Sequence, residues 1–246
     1  MPHWMLTLDA STPVTVVAVG SPGAPAPAAS VSCAAMANQT SEKLGLHIQR
    51  CLDDAGISPR DLTHVCCGVG PGTFTGTRVT VALAKGLATG LGLPIHPVST
   101  LHALACEVDG PGARRIWAML DARRGEVYVA GYTSTREAPM PDRVVSPRCC
   151  SVASLREDTA GICAGDVVIG TGVAPYRDLL SDLPAASLLA RPGLNVDGLW
   201  RASRDACNAA PVHARDLRVH YLRASYAEMG IHAPKKPMIK SPFVDP

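Results

Sequence analysis

Residues 64–78, HVCCGVGPGTFTGTR, constrain this chain more than any other stretch. HVCCGVG (64–70) is an apolar run of small and β-branched residues, and it reads as a buried strand. Glycines at 68, 70, 72 and 76 follow, interleaved with Pro71 and three threonines. Residues 75–91 then read as a helix. Val79, Leu83, Leu87 and Leu91 form one stripe at i+4 spacing, and Ala82, Gly86 and Gly90 form a small-residue stripe beside it. Each glycine in a helix costs about 1 kcal/mol relative to alanine, so something should offset the cost. Small residues let another helix approach closely, and a helix that is apolar or small around most of its girth is buried on more than one side. The second side could face another chain or another part of the same domain.

The loop itself has two readings. Free backbone N–H groups at a helix start, with the helix dipole, favour an anion. Gly70, Gly72 and Gly76 allow backbone conformations closed to other residues, and Thr73, Thr75 and Thr77 add hydroxyls. Yet G-x-x-x-x-G-K-[ST] is absent, and Thr73 stands where G-x-G-x-x-G would need its third glycine. The other reading is a tight strand-to-helix turn capped by Thr75.

Composition narrows the classes. The 246 residues suit one large or two small domains, and 47% apolar content supplies a core. Aromatics at 4% and a net charge of +2 argue against a stacking platform or an independent nucleic-acid binder. Nine cysteines, with no C-x-x-C pair, fit a reduced cytoplasmic protein better than a disulfide framework or a zinc site. The run Val81–Leu93 contains Lys85 and is too short to span a bilayer, so no membrane is expected.

The N-terminus reads as a hairpin: MLTLD (5–9), the turn STP, and VTVVAVG (14–20), with VSCAAM as a third strand. Leu44, Ile48 and Leu52 predict an amphipathic helix over 41–55, ended by Gly56. IHPVS after Pro94 reads as an extended link, and Thr100–Glu107 as a helix. A polar turn at 109–115 opens a second domain, and 116–132 reads strand, turn, strand around DARRG. Residues 133–165 give no clear assignment. DVVIGTGVAPY reads as a buried strand, a glycine turn and a helix start; 195–209 read as a helix and 220–226 as a late strand and turn. The tail 233–246 reads as irregular.

An Asp-bearing N-terminal hairpin followed by strands, helices and a second domain is how actin-like, Hsp70-like and sugar-kinase ATPases begin, and LDASTP (8–13) resembles that hairpin. GVGPGTFTGTRVTVALAKGLATGLGLPIHPVSTLHALA closely resembles the G-x-GPGSFTGLR segment of the TsaB (YeaZ) family, the M22-type glycoprotease-like paralogues of TsaD. LDARRGEVYVAGY, VIGTGVAPY, VHYLRASY and the opening hairpin resemble further segments of that family, in order, over nearly the whole chain.

The resemblance implies an α/β actin/Hsp70/sugar-kinase-like (ASKHA) fold of two lobes, each a mixed sheet with flanking helices. The lobes would be 1–108 and 109–212, with 213–246 partly returning to the first. It implies no catalysis by the chain itself. The chain would be a partner of a TsaD homologue, which forms N6-threonylcarbamoyladenosine at position 37 of ANN-decoding tRNAs. A TsaE homologue joins them, the chain alone could homodimerise, and tRNA is met only through the complex. The partner face would lie on helices 41–55 and 75–91: Leu44, Ile48, Val79, Ala82, Leu83, Gly86 and Gly90. Asp9, Ser11, Gly70, Gly72, Thr73, Thr75 and Gly76 could touch nucleotide phosphate, with ATP or ADP at the partner interface and none bound tightly. No metal is expected. TsaD holds its metal with H-x-x-x-H, whereas NQTSEKLGLHIQR has Thr40 where the family often has His, and His47 has no such partner and reads as a helix-surface residue. On this reading GPGTFTG is chiefly a turn that presents the interface helix, and Asp9→Ala is expected to be mild. The turn DARRGE is expected to be held by Asp121, with Arg123 and Arg124 solvated. The competing functions are a small-molecule kinase or ATPase of the same fold, and a peptidase of the glycoprotease grouping. For the peptidase the sequence offers neither G-x-S-x-G nor H-E-x-x-H.

Overall fold

The structure is a computed structural model that describes residues 3–34, 40–108, 114–134, 140–157, 162–181 and 187–223. The first sheet contains β1 (Trp4–Asp9), β2 (Val14–Gly20), β3 (Ala29–Ala34), β4 (Leu62–Gly68) and β5 (Ile95–Val98) in the order β3-β2-β1-β4-β5. The second contains β6 (Arg114–Arg123), β7 (Glu126–Ser134), β8 (Asp142–Ser151), β9 (Val167–Gly170) and β10 (Ser187–Ala190) in the order β10-β9-β6-β7-β8. Each sheet has an antiparallel meander of its first three strands and two further strands parallel to the first. One topology is thus used twice.

Alternation along the strands shows why both faces of both sheets are covered. Leu6, Leu8, Val17, Val19 and Cys67 point outward, under α1 (Thr40–Asp54) and α2 (Phe74–Leu91). Met5, Val16, Ala18 and Cys66 point inward, to a core shared with the second sheet. There Ile116, Ala118 and Leu120 face inward, while Trp117, Met119, Val127 and Val129 face outward, under α4 (Val152–Glu157) and α5 (Arg177–Leu180). Between the sheets lie α3 (Thr100–Ala105) and α6 (Val196–Ala206).

These two helices are exchanged. α3 follows the first sheet yet packs on β6, β7 and β9, and α6 follows the second yet packs on β5, β2 and β1. The expected division at 109 and 212 therefore describes the sheets and not the packing. Glu107, wholly buried beyond α3, accepts from the Asn195 backbone at the start of α6 (2.9 Å) and pairs with Arg191 (3.0 Å). Fully buried Trp200 on α6 donates to the Ala24 carbonyl at 3.1 Å and pins the Pro/Ala loop. Beyond α6, Val212 bridges to Ile95, Leu217 enters the outer core of the first lobe, and the His220 backbone donates to Val69.

Several expectations change. IHPV is a strand, β5, although Pro97 cannot donate to a ladder and so marks an edge. β8, with Pro147, is an edge strand inside the stretch left without assignment, and β10 is a further edge strand. Residues 220–223 form no strand, and 224–226 and the tail lie outside the described residues. Among the described residues no helix is long and apolar enough to cross a membrane.

Candidate functional site

Asp9 ends β1 with its side chain fully buried. Its Oδ1 accepts the Ser11 backbone N–H at 2.7 Å, the Ser11 hydroxyl lies 2.8 and 3.0 Å from its two oxygens, and Thr100 Oγ1 donates to Oδ2 at 3.4 Å. Ser11 and Thr100 hydroxyls meet at 2.8 Å. The carboxylate is therefore enclosed and used. The glycine loop closes over this turn. Thr73 N–H donates to the Ser11 carbonyl at 2.7 Å, and the Ala10 N–H donates to Thr80 Oγ1 at 3.0 Å. A Cβ at Gly68 would strike the Asp9 carboxylate, one at Gly72 the Ser11 carbonyl, and one at Gly76 the Ala10 carbonyl. Gly70 has φ +91°, in the region that favours glycine.

Of the expected phosphate-binding set, Asp9, Ser11, Gly70 and Gly76 are buried in this packing, Gly72 is half-buried, and Thr73 and Thr75 stay exposed. The N-cap of α2 is Thr73, not Thr75, and its side chain makes no capping bond. Removal of the carboxylate in Asp9→Ala would strand buried donors on Ser11 and Thr100, so this variant is expected to lose stability whatever its effect on assembly.

Burial raises the Asp9 pKa from 3.8 to about 6, against the lowering effect of the Ser11 and Thr100 bonds. The folded state thus holds the proton more tightly than the unfolded chain. The Asp9 contribution to stability is greatest below about 3.8, falls as pH rises to about 6, and is flat above. The shift corresponds to about 3 kcal/mol. Asp9→Asn keeps the acceptor and cannot ionise. Denaturant titrations from pH 4 to 7 are expected to show that the variant lacks this decline; parallel curves for the two proteins would contradict it.

The same device recurs in the second lobe. Leu120-Asp121-Ala122 ends the straight part of β6 as Leu8-Asp9-Ala10 ends β1, and Asp121 Oδ1 accepts the N–H two residues on, from Arg123, at 2.8 Å. Gly170-Thr171-Gly172 follows β9 as Gly68-Val69-Gly70 closes β4. The repeated LDA and G-x-G were readable signals of the duplication. The DARRG turn is held by Asp121 as expected, with Tyr176 also donating to it at 3.1 Å. Arg123 and Arg124 adopt φ of 67° and 59°, costly for side chains with a Cβ, and both are exposed.

The outer helices carry the rest of the expected set. Leu44 and Ile48 are corrected: they are buried in their own lobe's core and present no surface. Val79 and Leu83 are half-buried on the flank of α2, packed against that core. Ala82, Gly86 and Gly90 are exposed, and a Cβ at Gly86 or Gly90 would meet nothing within 4 Å. Gly45 on α1 is equally open, and neighbouring Leu46 is 67% exposed. His47 is half-buried, with its Nε2 3.1 Å from Cys33 Sγ on β3; burial lowers its pKa. Among the described residues no group of three or more His, Cys, Asp or Glu side chains is placed to hold a metal ion.

At the start of α2 the sequence reading missed an aromatic cluster. Arg78 lies 3.6 Å from the Phe74 ring centroid and its Nε donates to the Tyr221 hydroxyl at 2.7 Å. Phe74 and Tyr221 are each 52% exposed. Periodicity could place Phe74 on the helix but gave no means to bring Tyr221 beside it.

This doubled α/β topology, with an aspartate turn at the head of each lobe, is an ASKHA-like fold. The family model described as "TsaD: tRNA N6-adenosine threonylcarbamoyltransferase" matches residues 34–163. The tRNA threonylcarbamoyladenosine biosynthesis protein TsaB of Escherichia coli K12 is 34% identical over 137 residues, covering 54% of this chain and 57% of that protein. TsaB of Bacillus subtilis 168 is 40% identical over 100 residues, covering 38% and 42%, so the chain spans about half the length of these two relatives. TsaB of Haemophilus influenzae is 29% identical over 189 residues, covering 69% and 77%. The solved structure of YeaZ from Pseudomonas aeruginosa superposes with a TM-score of 0.73 at 26% identity, covering 90% of this chain and all 100% of that one. A second Pseudomonas aeruginosa structure, described as an uncharacterized protein with similarity to peptidase YEAZ, gives 0.75 at 28% identity over 91% and 100%. The chain belongs to the TsaD family, and within it the chain is similar to the TsaB and YeaZ proteins.

Proposed function

We propose that this chain is a partner subunit, without turnover of its own, in the formation of N6-threonylcarbamoyladenosine at position 37 of ANN-decoding tRNAs. It docks on a TsaD homologue through the outer face of α1 and α2. The observation that carries this reading is the exposed stripe Ala82, Gly86 and Gly90, with open space where side chains would stand. The glycines cost helix stability that packing within the described chain does not return. A partner helix seated on the stripe would return it. Enclosure of Asp9 supports the absence of turnover, since a kinase or ATPase of this fold would need that carboxylate open to a metal-bound nucleotide.

On this account a TsaE homologue joins the pair, tRNA is met only by the assembly, and any ATP or ADP at the partner seam would be held loosely, against exposed Thr73 and Thr75 and outside the enclosed Asp9 turn. Alone, the same face would pair with a second copy. The Phe74–Arg78–Tyr221 cluster borders the stripe with residue types that anchor interfaces. Sedimentation of the chain with its host's TsaD homologue tests the proposal. Wild type should form a stoichiometric complex, and Arg78→Ala should weaken it at least about tenfold. No complex with wild type would overturn the reading; an unchanged complex with the variant would remove the cluster from the interface.

A further inference from the structure

The nine cysteines fit a reduced protein by sequence, and the fold singles out two of them. Cys66 on β4 and Cys207, the C-cap residue of α6, are 141 positions apart, yet their sulfurs lie 3.6 Å from each other. Cys66 is buried and also reaches the Ser203 carbonyl at 3.6 Å, while Cys207 is half-buried and lies 3.5 Å from Met5 Sδ. The adjacent Cys67 points to the opposite face of the sheet, into the outer core, and cannot reach α6.

We propose that Cys66 and Cys207 form a peroxide-responsive thiol pair whose disulfide staples α6 to β4. The division of labour follows from exposure. Cys207 meets the solvent-borne oxidant, and Cys66 waits behind it as the resolving thiol. The bond from Cys66 also holds the Cys207 thiol below its usual pKa, which favours the thiolate that reacts. The Cys207 thiolate attacks one oxygen of hydrogen peroxide, the O–O bond breaks, and the departing hydroxide takes a proton to become water. Cys207 is left as a sulfenic acid. The Cys66 sulfur then attacks the Cys207 sulfur, the S–O bond breaks, and the hydroxide leaves with the Cys66 proton as water. Two thiols are oxidised to one disulfide and one peroxide is reduced to two waters. The crosslink would fasten the exchanged helix one turn beyond Ser203, whose hydroxyl bond of 2.6 Å to Thr7 already joins it to β1.

The inference is independent of the partner reading. The test is peroxide treatment of the native chain, alkylation of the remaining thiols, and peptide mapping. Tryptic peptide 205–215 contains Cys207 as its single cysteine, and 61–78 contains Cys66 and Cys67. The two peptides should appear linked in wild type and in Cys67→Ala. In Cys66→Ala the link should vanish, and Cys207 should be captured by dimedone as the sulfenic acid. Oxidised wild type should unfold at a higher temperature, reversed by dithiothreitol, and Cys207→Ala should show no such rise. Reduced Cys207 at peroxide levels that oxidise exposed Cys163, or a link that survives in Cys66→Ala, would overturn the proposal.

Discussion

Leucine in place of Gly86 is expected to leave the isolated chain folded and to weaken its partner complex by about ten- to a hundredfold. The two halves of that expectation come from different physics. Within the chain, a Cβ at position 86 meets nothing within 4 Å, so the new side chain has room. Replacing glycine in an exposed helix should gain about 1 kcal/mol of helix propensity, a rise in Tm of about 2–4 °C for a chain of this size. In the complex, a helix seated close over the stripe would meet four added carbons. Overpacking of that kind costs about 1–3 kcal/mol, which is the stated loss of affinity. Thermal unfolding and sedimentation of the same preparation separate the two effects. A variant that both melts low and fails to bind would mean that the stripe is used within the chain.

Gly76→Ala, ten residues earlier in the same helix, is expected to do the reverse. Alanine is ordinarily the better helix former, yet here its Cβ would strike the Ala10 carbonyl and crowd Thr73 Oγ1. Ala10 is held in place. The Ala10 N–H is bonded to Thr80 Oγ1, which donates in turn to the Gly76 carbonyl at 2.9 Å. The aspartate turn and the first turn of α2 would have to separate, with Asp9 and its buried donors between them. A loss of about 3 kcal/mol, or roughly 10 °C in Tm, is expected in thermal unfolding. A variant as stable as wild type would mean that the loop has slack, and would reopen it as a site that can accept a ligand.

The contrast between these glycines marks how far the sequence could be read. Glycines 76, 86 and 90 look alike in a helical pattern, and propensity charges all three the same. Only the fold shows that one is required by a backbone and the others lie open. The buried strands were legible because apolar runs bounded by glycine allow little else, and the amphipathic helix was legible from Leu44, Ile48 and Leu52. The same regularity misled at the surface. Leu44 and Ile48 were assigned to a partner because their helix was, although the side chains that make a helix amphipathic are those it buries in its own core. The edge strands escaped because Pro97 and Pro147 weaken a strand pattern, and edges are where proline is tolerated. The exchange of α3 and α6 and the meeting of Arg78 with Tyr221 join residues far apart in sequence, which no local pattern encodes.

In the enclosed aspartate, the interlocked glycine turn and the open small-residue stripe, the first lobe resembles a phosphate-binding lobe turned to another use. The turn that a nucleotide would occupy holds the helix, and the helix offers its outer face. The most direct test of that account is the level of N6-threonylcarbamoyladenosine in bulk tRNA, measured by mass spectrometry after depletion of this chain in its host. The account predicts a collapse of the nucleoside that wild type restores and Gly86→Leu, at equal abundance, does not. An unchanged level on depletion would contradict the proposed function, and full restoration by Gly86→Leu would contradict the assigned face.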